Sequence, residues 1–397
     1  MRFRLFVVLC ALLLPASAQA GIKQKIKAIA PSALVLVLDE KGKELVAQRA
    51  DKPFVPASVA KVVTSWLALK VLGEDHRFET RFYMDDKRVL YVRGGGDPFL
   101  VSEELALIAA KLLEETGKQP FSGMVIDISY FPADLSIPGI EATRRSYNAL
   151  NAALAANFNT IHAVRRGNTV RSAEKQTPIT PIAISQFRKR GPKKGRRRIS
   201  LAQADPSIGV RYAGELIAAF IKRAGGAVKG KVTLGAVPEG LKPVYVHRQT
   251  RPLPEILKQL LIGSNNYVTN QVFLEIGAKE LGAPVSLEKS LKIARKYLAE
   301  QGLAKALHLE EGSGLSRGNR FTARGLAKLL HQFAPHAGLM RRTKAGSRYK
   351  TGTLSGVRTL AGYAKTTRHG VVRFVISIRG GSSSLRFRLL RAIERGL

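Results

Sequence analysis

Pro56-Ala57-Ser58-Val59-Ala60-Lys61-Val62-Val63-Thr64-Ser65-Trp66-Leu67 is the stretch from which the fold is read. From Ser58 the run is rich in Ala, Val and Leu, and neither Pro nor Gly interrupts it before Gly73. It predicts a buried helix whose first turn carries Ser58. Residues three apart share a helix face, which puts the Lys61 amine within reach of the Ser58 hydroxyl. Burial lowers an amine's pKa, and a neutral lysine can take a proton from serine. The helix start adds the positive end of a dipole and free N–H groups where an oxyanion would form. A serine and a lysine one turn apart are common, so the pair takes its meaning from segments further along.

Upstream, 33–39 is a continuous apolar run, 40–43 supplies a turn, and 44–47 returns, which predicts a β-hairpin. Downstream, 88–93 alternates as a strand and enters Gly94-Gly95-Gly96-Asp97-Pro98, a sharp loop. No Gly-Lys-Ser/Thr closes it, so it is not a phosphate loop. Helical patterns cover 103–116, 207–224, 253–262, 267–277, 287–301, 322–331 and 383–395; strand patterns cover 124–127, 350–354, 357–364 and 371–378. Residues 134–168 give no clear period. Strands from both chain ends thus predict one sheet with helices on its faces, an α+β fold.

The chain has 397 residues and is 45% apolar, room for more than one domain and enough for a real core. Residues 1–20 read as a cleaved secretory leader: Arg2 and Arg4, an apolar run over 5–14, then Ala18-Gln19-Ala20. A periplasmic location is the expectation. The only cysteine, Cys10, lies inside that leader, so the mature chain carries no disulfide and no cysteine-based metal site. The seven histidines show no metal-ligand spacing, and neither metal nor other cofactor is expected.

Charge is the unusual feature: 65 basic against 29 acidic residues, net +36, or +34 once Arg2 and Arg4 leave. Such a field favours polyanions. Outside a cytoplasm these are anionic wall polymers, lipopolysaccharide or acidic phospholipid head groups; solvated charge on a basic protein is the plain alternative. Residues 188–198 hold eight basic residues in eleven, with Gly191, Pro192 and Gly195 among them, and are expected to be an exposed loop. Only Phe187 could stack on a base, so nucleic acid is not the expected partner.

Ser58-x-x-Lys61, Ser264-Asn265-Asn266 and Lys350-Thr351-Gly352 occur in that order, on a helix, a helix–loop junction and a strand. S-x-x-K, S-x-N and K-T-G together form a constellation with a mechanism. With them the chain resembles the D-alanyl-D-alanine carboxypeptidase/endopeptidases of the penicillin-binding protein 4 type, the low-molecular-mass class C penicillin-binding proteins. The likeness extends to Pro56-Ala57-Ser58, to Gly94-Gly95-Gly96-Asp97-Pro98, to Gly312-Ser313-Gly314-Leu315-Ser316-Arg317 and to Lys350-Thr351-Gly352-Thr353-Leu354-Ser355-Gly356.

That resemblance implies a β-lactamase/transpeptidase-like domain, an antiparallel sheet flanked by helices, with a large insert between the first two motifs. Lys61 and Ser264 stand 203 positions apart. The expected division is leader 1–20, transpeptidase-like domain 21–80 and 241–397, and a somewhat shortened insert at 81–240.

It also implies roles. Ser58 attacks the peptide carbonyl between two D-alanines and Lys61 is its base. Ser264 relays a proton between Lys350 and the leaving amine, and Asn266 holds a substrate amide. Lys350 and Thr351 bind the terminal carboxylate, Gly352 admits the substrate backbone, and the N–H groups of Ser58 and Thr353 form the oxyanion hole. Partners implied are peptidoglycan stem peptides and β-lactams.

Three positions depart from the family pattern. Asn265 stands where Asp is frequent, Asn270 replaces an acidic residue, and Glu311 replaces an Asp. Two other readings keep the same motifs: a β-lactamase or esterase of this fold, and a non-catalytic peptidoglycan-binding homologue.

Overall fold

The computed structural model describes residues 14–201 and 205–397, with side chains from residue 21 onward. The leader expected over 1–20 thus falls outside the described residues up to 13, and outside the described side chains up to 20. The chain divides into two units, 1–63 with 296–310 and 314–397, and 64–295 with 311–313.

The first unit is built on a six-stranded antiparallel sheet. Its order is Arg341–Arg342, Arg348–Leu354, Val357–Lys365, Val371–Arg379, Leu34–Leu38, Glu44–Gln48. Both chain ends contribute, as expected from the sequence. Val371–Arg379 lies inside the sheet and is buried from 372 to 378, which is why it reads as a mainly apolar run, interrupted inside only by Arg373 and Ser377, rather than as alternation.

Val35 pairs with Ile376 and Val37 with Phe374, so these four side chains share a face. They are buried together with Ile22 and Ile26 of helix Leu14–Ile29 and with Leu389 and Ile393 of helix Leu385–Gly396. Cleavage after Ala20 would leave Ile22 and Ile26 in place. Helix Ala323–Phe333 also packs on the sheet, and the Tyr363 hydroxyl donates to the Leu330 carbonyl at 2.6 Å.

The second unit holds a five-stranded mixed sheet in the order Pro243–Arg248, Glu79–Met84, Val89–Gly94, Gly123–Asp127, Val232–Leu234. Thr80 pairs with His247 and Glu79 with Arg248, so the chain that leaves at the first strand comes back beside it. Helix Ser102–Thr116 buries Leu105, Ile108, Ala109, Leu112 and Leu113, the i, i+3, i+4, i+7, i+8 stripe of an amphipathic helix. Glu104, in its first turn, lies 3.1 Å from His247 Nε2 and 2.7 Å from Arg251 Nη1. Burial pushes the Glu104 carboxyl up, but hydrogen bonds from His247 and Thr250 and the Arg251 charge more than offset this and hold it below the usual range.

The glycine–Asp–Pro loop is a packing device. A side chain at Gly94 would run into the Ala153 carbonyl, and one at Gly95 into the Glu79 carbonyl. Asp97 is buried; its carboxylate accepts from Phe99 N at 2.7 Å and from Gln249 Nε2 at 2.9 and 3.1 Å. Burial still pushes it up to about 6. Gly94→Ala should therefore cost about 1–3 kcal/mol, the range for overpacking a rigid neighbour, read as a lower denaturant midpoint with an unchanged slope.

One expectation is corrected. Residues 188–198 are not an exposed loop. Arg188, Lys189 and Arg190 form the last turn of helix Pro181–Arg190, where cations suit the helix C-terminus, and Gly195–Ser200 is a strand pairing with Thr160–Arg166. Gly191 and Pro192 break the run between the two elements rather than dissolving both.

Candidate active site

Ser58 sits in a short 3-10 turn, Ala57–Val59, that leads into helix Ala60–Val71. Lys61 is fully buried, and its Nζ donates to Ser58 Oγ at 3.3 Å. The turn is fixed from the sheet side: Thr359 Oγ1 donates to the Pro56 carbonyl at 2.7 Å. Ala57 holds a left-handed φ of 48°. Its carbonyl lies so close to Gly314 that any side chain there would overlap it, which gives the Gly-Ser-Gly segment its last glycine.

Strand Arg348–Leu354 carries the Lys-Thr-Gly motif against the same turn. A Cβ on Gly352 would lie 2.6 Å from the Pro56 carbonyl and 3.0 Å from Ala57 Cβ. Glycine is thus required for the strand to reach the Ser58 turn, a reason additional to substrate access. Lys350 is 2% exposed, and its Nζ donates to the Thr351 carbonyl at 2.8 Å. Burial holds its amine well below the usual lysine range, and the positive charges of Lys61, Arg341 and Arg386 push the same way.

Two lysines therefore flank one serine turn, and Lys350 feels the charge of Lys61. The first unit brings together Ser58, Lys61, Lys350, Thr351, Gly352 and Thr353.

Sequence reasoning missed Arg386. It is 7% exposed, and its Nη1 donates to the Gly352 carbonyl at 2.7 Å, to Thr353 Oγ1 at 3.1 Å and to the Thr359 carbonyl at 3.2 Å. On a helix that reads as amphipathic and basic, nothing marked this one arginine as inward-facing. It acts as a positioning residue for the motif strand. Arg386→Gln should raise KM about tenfold with a smaller change in kcat, the pattern for lost ground-state binding, and Arg386→Lys should restore part of it.

The second unit holds Ser264 and Asn266. Ser264 has a left-handed φ of 55° at the end of helix Leu253–Gly263. Asn265 then caps helix Asn266–Leu281, its Oδ1 accepting from Val268 N at 3.2 Å. Asp and Asn serve equally as such a cap, which accounts for Asn265 where Asp is frequent. Asn266 donates from Nδ2 to the Tyr147 carbonyl at 3.1 Å. Asn270 Oδ1 accepts from Gly312 N at 3.0 Å, a task a carboxylate oxygen would perform as well. Glu311 accepts from Ser313 N at 2.8 Å and Ser313 Oγ at 2.6 Å, so the longer side chain still closes its own turn.

The family model for the D-Ala-D-Ala carboxypeptidase 3 (S13) family matches this chain over residues 22–190 and 151–345. The chain belongs to that family. It is a serine-type D-Ala-D-Ala peptidase. A D-alanyl-D-alanine carboxypeptidase of Actinomadura sp. (strain R39) is 27% identical over 406 residues, covering 84% of this chain and 75% of the relative. The D-alanyl-D-alanine carboxypeptidase DacB of Haemophilus influenzae is 25% identical, with 82% and 81% covered. Among solved structures, penicillin-binding protein 4 of Haemophilus influenzae shares the fold at a TM-score of 0.76 and 20% identity, covering 93% of this chain and 97% of that one. A predatory peptidoglycan endopeptidase of Bdellovibrio bacteriovorus follows with a TM-score of 0.55 at 15% identity, 90% of each chain covered. The S13 fold agrees with the transpeptidase-like α+β architecture expected from the three motifs.

Proposed function

We propose that Ser58 Oγ is the nucleophile of a D-alanyl-D-alanine carboxypeptidase and that Lys61 takes its proton. The carrying observation is the 3.3 Å contact between Ser58 Oγ and the amine of a fully buried lysine. In the first half-reaction the Oγ–carbonyl bond forms and the D-Ala–D-Ala amide C–N bond breaks, leaving an acyl-enzyme. The proton taken from Ser58 leaves on the amine of the released D-alanine, through Ser264. Water then hydrolyses the ester.

Lys350 and Thr351 receive the terminal carboxylate; an anion beside Lys350 favours its ammonium form, which burial disfavours. Asn266 holds a substrate amide, Gly352 gives the strand an edge for substrate backbone, and the N–H groups of Ser58 and Thr353 bind the oxyanion.

β-Lactams present a strained amide to the same serine, and the penicillin-binding protein 4 of Haemophilus influenzae was solved with a β-lactam bound. Endopeptidase activity on peptidoglycan cross-links is assigned as a second use of the site, in line with the Bdellovibrio relative. The test is muropeptide digestion with product analysis: release of free D-alanine supports the reading, and intact pentapeptides after prolonged incubation sink it.

The division into 21–80 and 241–397 around an insert at 81–240 is also proposed. Its support is a buried cluster drawn from Phe82 to Ile221, a core of the insert's own. Residues 1–20 are assigned as a cleaved leader that delivers the enzyme to the periplasm, where its charge would meet anionic envelope polymers. Among the described residues no helix is long and apolar enough to cross a membrane.

A further inference from the structure

The basic run set aside as a loop turns out to be half of a built surface. Residues 160–200 hold twelve Lys or Arg and a single acid, Glu174, so this tenth of the chain supplies +11 of the net +36. Strands Thr169–Ser172, Thr160–Arg166 and Gly195–Ser200 form a three-stranded antiparallel sheet with Thr160–Arg166 in the middle. Val164 pairs with Arg171 on one side and with Arg196 on the other, and residues directly opposed in a sheet point to the same face. Arg166, two residues from Val164, shares that face. Strand spacing puts Arg171 and Arg196 about 10 Å apart at the backbone, with Arg166 about 7 Å along.

Arg166, Arg171 and Arg196 are exposed and make no ion pair among the described residues, nor do Lys175, Lys189, Lys193, Lys194 and Arg197. Glu174, the only acid, is consumed by Arg198 and His162. Other arginines here are structural: Arg165 donates to the Gly167 and Arg188 carbonyls, and Arg190 to the Ser200 and Thr143 carbonyls.

We infer that this sheet face binds a linear phosphate-bearing polymer by presenting Arg166, Arg171 and Arg196 as a three-point guanidinium platform. Arginine is the residue at all three points, and its planar fork matches phosphate oxygens two at a time. The large exposed apolar side chains, Leu107, Tyr147, Leu281 and Val371, all lie outside 160–200, so the face has no wedge to insert into a bilayer. Phe187, the one aromatic beside the basic run, is fully buried, which removes the stacking platform a single-stranded nucleic acid would use. What remains fits a hydrated chain of phosphates. The inference deepens the proposed envelope role and rests on it only for where the polymer is met; binding by purified protein is independent of export.

The test measures fluorescence anisotropy of labelled inorganic polyphosphate with the full chain and with Arg166→Gln/Arg171→Gln/Arg196→Gln. Wild-type affinity should fall roughly fiftyfold between about 50 and about 200 mM salt, as expected for about four neutralised phosphates. The triple variant should bind at least about tenfold more weakly with a shallower salt slope, since three of those contacts are gone. It should also keep its activity on a soluble D-Ala-D-Ala peptide, which shows that it folds. The comparator Lys344→Gln/Lys365→Gln/Arg391→Gln removes equal charge from another hollow and should leave polyphosphate binding within about twofold. Equal losses in both variants, or no loss in the sheet variant, overturn the inference. So does binding to phosphatidylglycerol/phosphatidylethanolamine vesicles without binding to polyphosphate, which would make the face a membrane contact.

Discussion

Lys61→Met will lower kcat/KM on a D-Ala-D-Ala peptide by about 10³-fold or more, with the fold intact. Lys61 is fully buried and its amine contacts Ser58 Oγ at 3.3 Å, so the substitution removes the base without opening a cavity. A positioned general base contributes about 10²–10⁴, and Lys61 is the amine in contact with the serine hydroxyl. Acylation by penicillin should slow in parallel, because the same proton leaves the same hydroxyl. A variant that hydrolyses peptide at near wild-type rate would show that another group activates Ser58.

Lys350→Met will divide function from stability. Activity on D-alanine-terminated peptides should fall at least about 10²-fold, since the carboxylate loses its cation in a desolvated site. Stability at neutral pH should nevertheless rise, because the buried amine disfavours the proton that the unfolded chain binds there. The sign follows from linkage. Lys350 has a folded pKa well below that of an exposed lysine, so the unfolded chain binds more protons across the interval between the two. Wild-type stability therefore climbs as pH rises through that interval, and the variant lacks this contribution. Urea unfolding at two pH values in that window checks it; a less stable variant at neutral pH contradicts the account of a destabilising buried amine.

Much of the scaffold could be read from residue order because local pattern and tertiary environment agree in it. Val371–Arg379 is mainly apolar because it is buried on both faces from 372 to 378, and Ser102–Thr116 shows a clean stripe because one face is covered. The region 134–168 resisted reading for a physical reason. Asn157, Phe158 and Asn159 take φ values of 51°, 62° and 54°, a left-handed trio without glycine. Hydrogen bonds to residues outside the turn hold it, Asn157 Oδ1 accepting from the distant Ser102 N at 3.0 Å and Asn159 Nδ2 donating to the Leu150 carbonyl at 2.9 Å. No local propensity announces such a turn.

The candidate site divides the same way. Ser58, Lys61 and Lys350 stood out by motif, whereas Arg386 did not, because its role depends on which way one turn of a basic helix faces. The basic run 188–198 was misread because Gly191 and Pro192 signal a break but do not say whether a strand resumes beyond it. Strand pairing of Arg196 to Arg198 with Val164 to His162 is a tertiary fact.

Mass spectrometry of peptides from the protein incubated with penicillin tests the central claim most directly. The account predicts one stoichiometric penicilloyl adduct on the peptide containing Ser58, and none in Ser58→Ala. An adduct on a different residue, or labelling that survives in Ser58→Ala, would contradict it.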